Sequence, residues 1–334
     1  MVDGGVAAIW DHGHMSVATW LSDLVAPPPV HHGLLDDLRA HLDARAAAAA
    51  ARVDEDHLPL RLPKSRLGDL GRCERLAVAR AAHRDDTPTW SPAALRGVAL
   101  DRFVAHQLVA GRVLDPGEVL RGMLAADASW SALAAVEDLD DGELSDLVDP
   151  LAEAVAQGWS GIDDAWAPRT QSSAMLVLAD AQVVCSSVLD VELGGPPGDL
   201  PAILVEVKSG RPVSEHASEV YLYALLVALR DGAAPAEVAR WYPGAAPAAI
   251  PVTDGLLETA AARLEDGIVA WAQLAAGRPP DEAPGVWCRW CPDAPRCPSV
   301  ERGDPRPDGA DGDDPGEVAV ELGAPDPFED EEPW

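Results

Sequence analysis

Lysine is nearly missing from this chain. Only two of its 25 Lys+Arg residues are lysines, Lys64 and Lys208. Arg stays protonated in proteins, whereas a buried Lys shifts its pKa readily and can act on a water. A sequence that writes Arg almost everywhere keeps Lys208 in an apolar strand, two residues after Glu206. Positive charge as a whole is also scarce: 56 Asp+Glu leave a formal charge of −31. Taken alone, that balance argues against a polyanionic partner, because nucleic-acid binding draws on Lys and Arg. Two features soften it. Acidic surfaces are typical of proteins from salt-rich cytoplasm, where screening lengths shrink to a few Å. A local basic stretch also survives, made of Arg61, Lys64, Arg66, Arg72, Arg75, Arg80 and Arg84.

Other absences narrow the class. No uncharged apolar run reaches the roughly 18 residues of a membrane span, so no membrane contact is expected. The start has no basic segment followed by an apolar one, so no signal peptide is expected, and the expected location is cytoplasmic. Met15 is a candidate start, since residues 1–14 contribute little that reads as an element. There is no Gly-x-x-x-x-Gly-Lys loop, so any unwinding must come from a partner. Five cysteines without an export signal do not make a disulfide framework.

At 334 residues with 48% hydrophobic content, the chain can bury one large core or two smaller ones. Residues 16–57 read as helical, with one helix over 36–51. Residues 60–67 read as a short extended segment. Ser65 is the expected N-cap of a single helix carrying Leu67, Leu70, Cys73 and Ala77. Ser91 followed by Pro92 starts another helix, which stops at Gly111. Residues 112–170 read as several helices joined by acidic loops, with no evident chemistry.

The pattern then changes. Residues 175–178 and 183–185 are short apolar runs, residues 188–193 alternate, 194–199 form a turn cluster, and 203–208 read as the next strand. Together these predict an antiparallel hairpin. Side chains alternate along a strand, so Glu206 and Lys208 share a face with Asp190 of the partner strand, away from the packing face of Val205 and Val207. A helix over 215–230 puts Glu219 and Tyr223, four residues apart, on one face. Strands at 239–242 and 249–252 and a long helix over 254–276 follow. Residues 301–334 hold 13 Asp+Glu and two Arg and are expected to be disordered. Phe328 and Trp334 could make this segment a docking peptide, but a solvating tail is the favoured reading.

Two groups carry chemistry. Asp190 and Glu206 on adjacent strands can hold Mg²⁺ or Mn²⁺, which prefer oxygen ligands. Such an ion polarises a phosphodiester and lowers the pKa of a bound water. Lys208 beside it can orient that water and stabilise developing negative charge. The second group is Cys288-x2-Cys291-x5-Cys297, whose compact spacing points to metal. A fourth ligand is needed, with Cys73 and Cys185 as candidates. Zinc and an iron–sulfur cluster both accept four thiolates, and spacing does not separate them.

In motif order the chain resembles the RecB-like branch of the PD-(D/E)XK nuclease superfamily, within it the iron–sulfur members such as AddB-type nuclease domains and CRISPR-associated exonucleases. The resemblance rests on Cys73, the strand of Asp190, the Glu206-x-Lys208 strand, the helix with Tyr223, and the terminal Cys288, Cys291 and Cys297. It covers roughly residues 60–300. It implies an α/β, restriction-endonuclease-like core, a mixed central sheet flanked by helices. A helical segment precedes it over 1–59, a helical insertion lies at about 112–170, and the acidic tail follows over 301–334. The resemblance also implies a [4Fe–4S] cluster on Cys73, Cys288, Cys291 and Cys297, with zinc as the alternative, stapling the two ends of the domain. This sequence departs from the family pattern twice. Asp101, four residues after Gly97, stands where the family carries a metal-binding His, and His106 is a weak substitute. Glu219 stands at the Gln of the Gln-x-x-x-Tyr signature. The implied metal ligands are Asp101, Asp190 and Glu206, with Lys208, Glu219 and Tyr223 completing the catalytic set.

The expected activity is a Mg²⁺- or Mn²⁺-dependent deoxyribonuclease acting on single strands or ends, in DNA repair, recombination or defence, alongside a helicase or a repair or CRISPR protein. Two other classes compete with it: a catalytically inactive nucleic-acid-binding scaffold subunit, favoured by the negative charge, Asp101 and Glu219, and a zinc-stapled interaction protein.

Overall fold

The computed structural model describes residues 15–24, 30–83, 90–212 and 216–301. The expected acidic tail beyond 301, the first 14 residues and Arg84 lie outside the described residues. Two helices lead in, the six-residue α1 (Val17–Ser22) and the 17-residue α2 (Leu34–Ala50). Strand β1 (Leu60–Pro63) follows, then α3 (Lys64–Arg72) and α4 (Glu74–Ala82). A helical block comes next: α5 (Pro92–Ala110), α6 (Pro116–Ala126), α7 (Trp130–Glu137) and α8 (Asp141–Trp159). The rest is β2 (Arg169–Leu178), β3 (Val183–Leu193), β4 (Ile203–Val207), α9 (His216–Asp231), β5 (Glu237–Trp241), β6 (Ala248–Pro251) and α10 (Asp254–Ala275). The described chain ends in tight 3₁₀ turns at Val286–Trp290 and Ala294–Arg296 and in α11 (Pro298–Glu301).

The six strands form one mixed sheet in the order β1-β3-β4-β5-β6, with β2 also paired to β3. β1 with β3 and β4 with β5 run parallel; the other pairs are antiparallel. This is the expected mixed central sheet flanked by helices. The sheet separates two cores. On β4, Leu204 enters one core with α9 and α10, while Ile203, Val205 and Val207 enter the other with α5 and α8. β3 serves both: Val183, Cys185 and Leu189 pack in the first core, Val191 and Leu193 in the second. Asp190 lies where the strand passes from one to the other.

The start and stop signals of α5 act as the sequence implies. Ser91 Oγ accepts the Ala94 amide at 3.1 Å, Pro92 opens the helix, and Gly111 closes it at φ +74°. A capping box between Asp140 and Glu143 starts α8. Near its end Gly158 lets the helix meet Trp241 of β5; a Cβ there would stand 2.5 Å from the indole. Trp159 then meets the same indole edge-on, centroids 5.6 Å apart.

Two local expectations are corrected, and a third is narrowed. The single helix through Cys73 is two helices, broken at Cys73, whose backbone is extended at φ −167°. Its first cap is Pro63 and not Ser65, because Pro63 holds the extended geometry from which Lys64 can enter the helix. In the basic stretch, three of the described arginines are engaged within the fold. Arg80 pairs with buried Asp69 at 2.9 Å, Arg75 with Glu282 at 3.0 Å, and Arg66 stacks over Trp271.

One buried charge ties α9 to the hairpin. Glu192, sealed from solvent, receives Arg230 at 2.6 Å, Arg169 at 2.9 Å and the Ser172 hydroxyl at 3.0 Å. Burial pushes its carboxyl up, but the hydrogen bonds from Arg230 and Arg169 outweigh it, and the net shift is downward. A depressed carboxyl contributes stability above its ordinary value of 4.5 and loses it as pH falls through the folded value. Glu192→Ala is therefore expected to cost about 3–5 kcal/mol in urea unfolding at neutral pH. The deficit should shrink as the measurement moves below pH 4.5. Gly158→Ala should cost about 1–3 kcal/mol by overpacking against Trp241, read from the same unfolding midpoint.

Candidate active site and cysteine pocket

The pairing of β3 with β4 sets Val191 opposite Val205. One residue further, the same register brings Asp190 opposite Glu206, on the side facing α9. The Val207 amide donates to Asp190 Oδ2 at 2.7 Å, which fixes that carboxylate across the strand pair. Glu206 is only 1% exposed. Its Oε1 accepts Lys208 Nζ at 2.8 Å and Lys64 Nζ at 3.0 Å. Its Oε2 is buried without a hydrogen-bond partner. The two lysines of the chain thus meet at one carboxylate oxygen.

The helices complete the cluster. Tyr223 of α9 is buried and its hydroxyl accepts Lys64 Nζ at 2.5 Å. One turn earlier on the helix, Glu219 Oε2 stands 3.0 Å from Lys208 Nζ, an ion pair by distance though not aligned as a hydrogen bond. Lys208 lies just past β4, and its amide extends the sheet by donating to Trp241 O at 3.0 Å. From the other side, Gly97 of α5 approaches Ser209, within 3.6 Å of where a Cβ would stand. Asp101, one turn on, is near enough to Asp190 for its charge to act on it. Burial, then Glu206, then Asp101 push the Asp190 carboxyl up, while Lys64 and Lys208 pull it down. All six sequence-predicted residues other than the cysteines, namely Asp101, Asp190, Glu206, Lys208, Glu219 and Tyr223, therefore belong to one neighbourhood. His106 lies partly exposed further along α5.

Sequence reasoning missed two members. Lys64 was visible only as the other lysine and as part of a basic stretch. Arg240 of β5 stands beside Glu206 in the parallel register. Burial raises the Tyr242 hydroxyl, and Arg240 and Lys208 lower it, which puts both cations near that phenol.

The second site is a pocket lined by Cys73, Cys288, Cys291 and Cys297. Cys73 reaches it because α3 and α4 break there. The Ala283 amide donates to Cys73 Sγ at 3.5 Å, and the Gly285 amide to Cys288 Sγ at 3.3 Å. Burial raises the Cys291 thiol, with Cys73 and Cys288 close enough to add to the effect. Ion pairs lace the same join: Arg278 with Glu74 at 2.5 Å and Arg75 with Glu282 at 3.0 Å. Cys185 is the candidate the geometry sets aside. It is sealed in the first core, where burial pushes its thiol up to about 12. None of the five cysteines is in a disulfide.

Among the described residues, no three His, Cys, Asp or Glu side chains are gathered closely enough to form a ready metal cage. What each site offers is a donor set. Four thiols line one pocket, and Glu206, near Asp190, carries a buried oxygen, Oε2, without a hydrogen-bond partner. The donor types differ, soft thiols in one place and hard carboxylate oxygens in the other. No helix among the described residues is long and apolar enough to cross a membrane.

The chain matches no protein-family model and no curated protein sequence. Among solved structures it is similar to the crystal structure of SSO0001, at 15% identity and a TM-score of 0.30, over 68% of this chain and 95% of that one. It is also similar to a "putative exonuclease" from Eubacterium rectale, at 13% identity and a TM-score of 0.42, over 75% of this chain and 90% of that one. Likeness at this level says nothing of the chemistry of either site.

Proposed function

We propose that the chain is a metal-dependent DNA nuclease of the RecB-like PD-(D/E)XK type, acting on single strands or ends. The observation that carries this reading is Glu206: a buried carboxylate with one oxygen held by two ammonium groups and the other without a partner, beside Asp190. A buried orphan oxygen is costly unless something binds it, and a divalent cation on Asp190, Glu206 and Asp101 would do so. When bound, that ion polarises a phosphodiester and lowers the pKa of a water. Lys208, at 8% exposure, is placed to orient the attacking water and to meet charge developing on the phosphate. Glu219 holds the Lys208 ammonium at 3.0 Å, and Tyr223 holds Lys64, so the helix fixes both cations in place.

In the same reading Cys73, Cys288, Cys291 and Cys297 carry a [4Fe–4S] cluster that joins the α3–α4 break to the C-terminal turns. The partners are DNA and a separate helicase or other repair or CRISPR protein, and the location is cytoplasmic. The lining thiols and the two amide donors to sulfur support the cluster assignment.

Two measurements test the reading. Anaerobically purified protein is incubated with end-labelled single- and double-stranded DNA and Mn²⁺ or Mg²⁺. Lys208→Ala and Glu206→Gln should each lower cleavage by about 10²–10³-fold. Equal cleavage by wild type and both variants would sink the site assignment; no cleavage by wild type, at low and at high salt, would favour the scaffold reading. For the second site, iron and sulfide are assayed on the purified chain. Cys185→Ala should keep the wild-type content and brown colour, and Cys73→Ala should lose most of both. A colourless wild type carrying zinc would replace the cluster with a zinc staple.

A further inference from the structure

The carboxyl ends of two parallel strands meet beside Glu206. β4 and β5 pair in parallel with Val207 opposite Trp241, so Lys208 and Tyr242 leave the sheet side by side. In sheets with parallel strands, ligands bind in the crevice outside those carboxyl ends. Three elements border this one. β4 continues through Lys208 and Ser209 to Arg211, and β5 carries Arg240 and Tyr242. α5 comes in with Gly97, whose Cβ position is 3.6 Å from Ser209 Oγ, and with Arg96 next to it.

The arginines of this corner are not matched to carboxylates. The chain has 56 Asp+Glu against 25 Lys+Arg, so carboxylates are in ample supply. Arg75, Arg80, Arg102, Arg169, Arg230 and Arg278 each meet one at 2.5–3.1 Å. Among the described residues, Arg96, Arg211 and Arg240 have none within ion-pair distance. Arg96 and Arg211 are exposed, but Arg240 is half-buried. It donates to the Tyr242 hydroxyl, yet its Nε is buried without a hydrogen-bond partner. A buried guanidinium nitrogen left unpaired is costly until an acceptor arrives. Lys208 is already engaged by Glu206 at 2.8 Å and Glu219 at 3.0 Å, so the arginines are what this corner offers an outside anion.

We propose that Arg240, Arg96 and Arg211 bind the phosphates of one nucleic-acid strand, Arg240 the phosphate nearest Glu206 and the two exposed arginines its neighbours. A planar guanidinium donates parallel hydrogen bonds to a phosphate, which supplies the acceptor that Arg240 Nε lacks. The inference rests on the nuclease reading above only in taking the anion to be a nucleic-acid phosphate, and it needs no metal.

The test measures binding of fluorescently labelled oligo(dT) to the full chain by anisotropy, in EDTA, across a salt series. Wild type should bind. Arg96→Gln, Arg211→Gln and Arg240→Gln should each reduce the slope of log K against log salt by about 0.7. Arg240→Gln should also weaken binding about tenfold at low salt, and Arg240→Lys should restore the slope but not the affinity, because Lys has no fork. Arg263→Gln, which removes an exposed arginine of α10, should change neither. Unchanged slopes in Arg96→Gln and Arg211→Gln, or an equal loss in Arg263→Gln, would overturn the proposal. Those two surface variants decide even if Arg240→Gln fails to fold. A wild type that does not bind in EDTA also overturns it, while cleavage with Mn²⁺ still decides the nuclease reading. Binding with the expected slopes but no cleavage would sink that reading and leave the phosphate contacts standing.

Discussion

Everything at the centre of this molecule depends on keeping one buried carboxylate charged. Taking a carboxylate out of water costs several kcal/mol even after the protein relaxes. Glu206 lies on a five-residue strand that is buried along its whole length, so water cannot offset that cost. The compensation comes from three other segments. Lys64 arrives from the first residue of α3, Lys208 from the residue after β4, and Tyr223 from α9 to brace Lys64. The polar cluster is thus also a structural joint. Withdrawing both lysines would leave the charge buried without a partner, which is far worse than replacing the whole cluster with apolar side chains.

α3 links this joint to the other one. Its nine residues begin at Lys64 in the carboxylate cluster and end at Arg72, next to Cys73 in the cysteine pocket. A helix of that length spans about 14 Å, a short and stiff connection. Its packing is close, since Gly267 of α10 leaves no room for a Cβ against Leu67. The far end of the chain is bound to the same region by Arg75 with Glu282 and Arg278 with Glu74. Closure of the cysteine pocket therefore fixes the end of the helix whose beginning holds Glu206.

How legible this was from sequence differs by residue, for physical reasons. The limits of α5 could be read because Ser91, Pro92 and Gly111 act locally. The hairpin could be read because alternation and a turn cluster are local as well, and with it the meeting of Asp190, Glu206 and Lys208. Lys64 could not, because it reaches Glu206 over 142 positions and lies in a stretch whose other cations pair elsewhere. Arg240 was hidden for the same reason: parallel pairing of β4 with β5 sets it beside Glu206 through a crossover helix, and no local signal reports a crossover register. The break at Cys73 has no Pro or Gly at the break itself. It is imposed by tertiary contact, as the Cys73 sulfur and the Arg75 amide are both engaged by residues 281–283.

Charge gives the same lesson at larger scale. A net charge of −31 should repel a polyanion at long range. Three arginines of the one basic stretch offer little counterweight on the surface, because Arg75 and Arg80 are paired internally and Arg66 lies on an indole. The cations that matter are few and deep: Lys64, Lys208 and Arg240, gathered around Glu206 on one side of the sheet. Repulsion between exposed charges is screened within about 8 Å at physiological salt, whereas buried pairs are screened much less. Salt therefore weakens the acidic surface while leaving the inner cations nearly unchanged. The scarcity of lysine then has a physical sense: the two that remain are placed where a compact ammonium can reach a buried carboxylate, and both are used on the same oxygen.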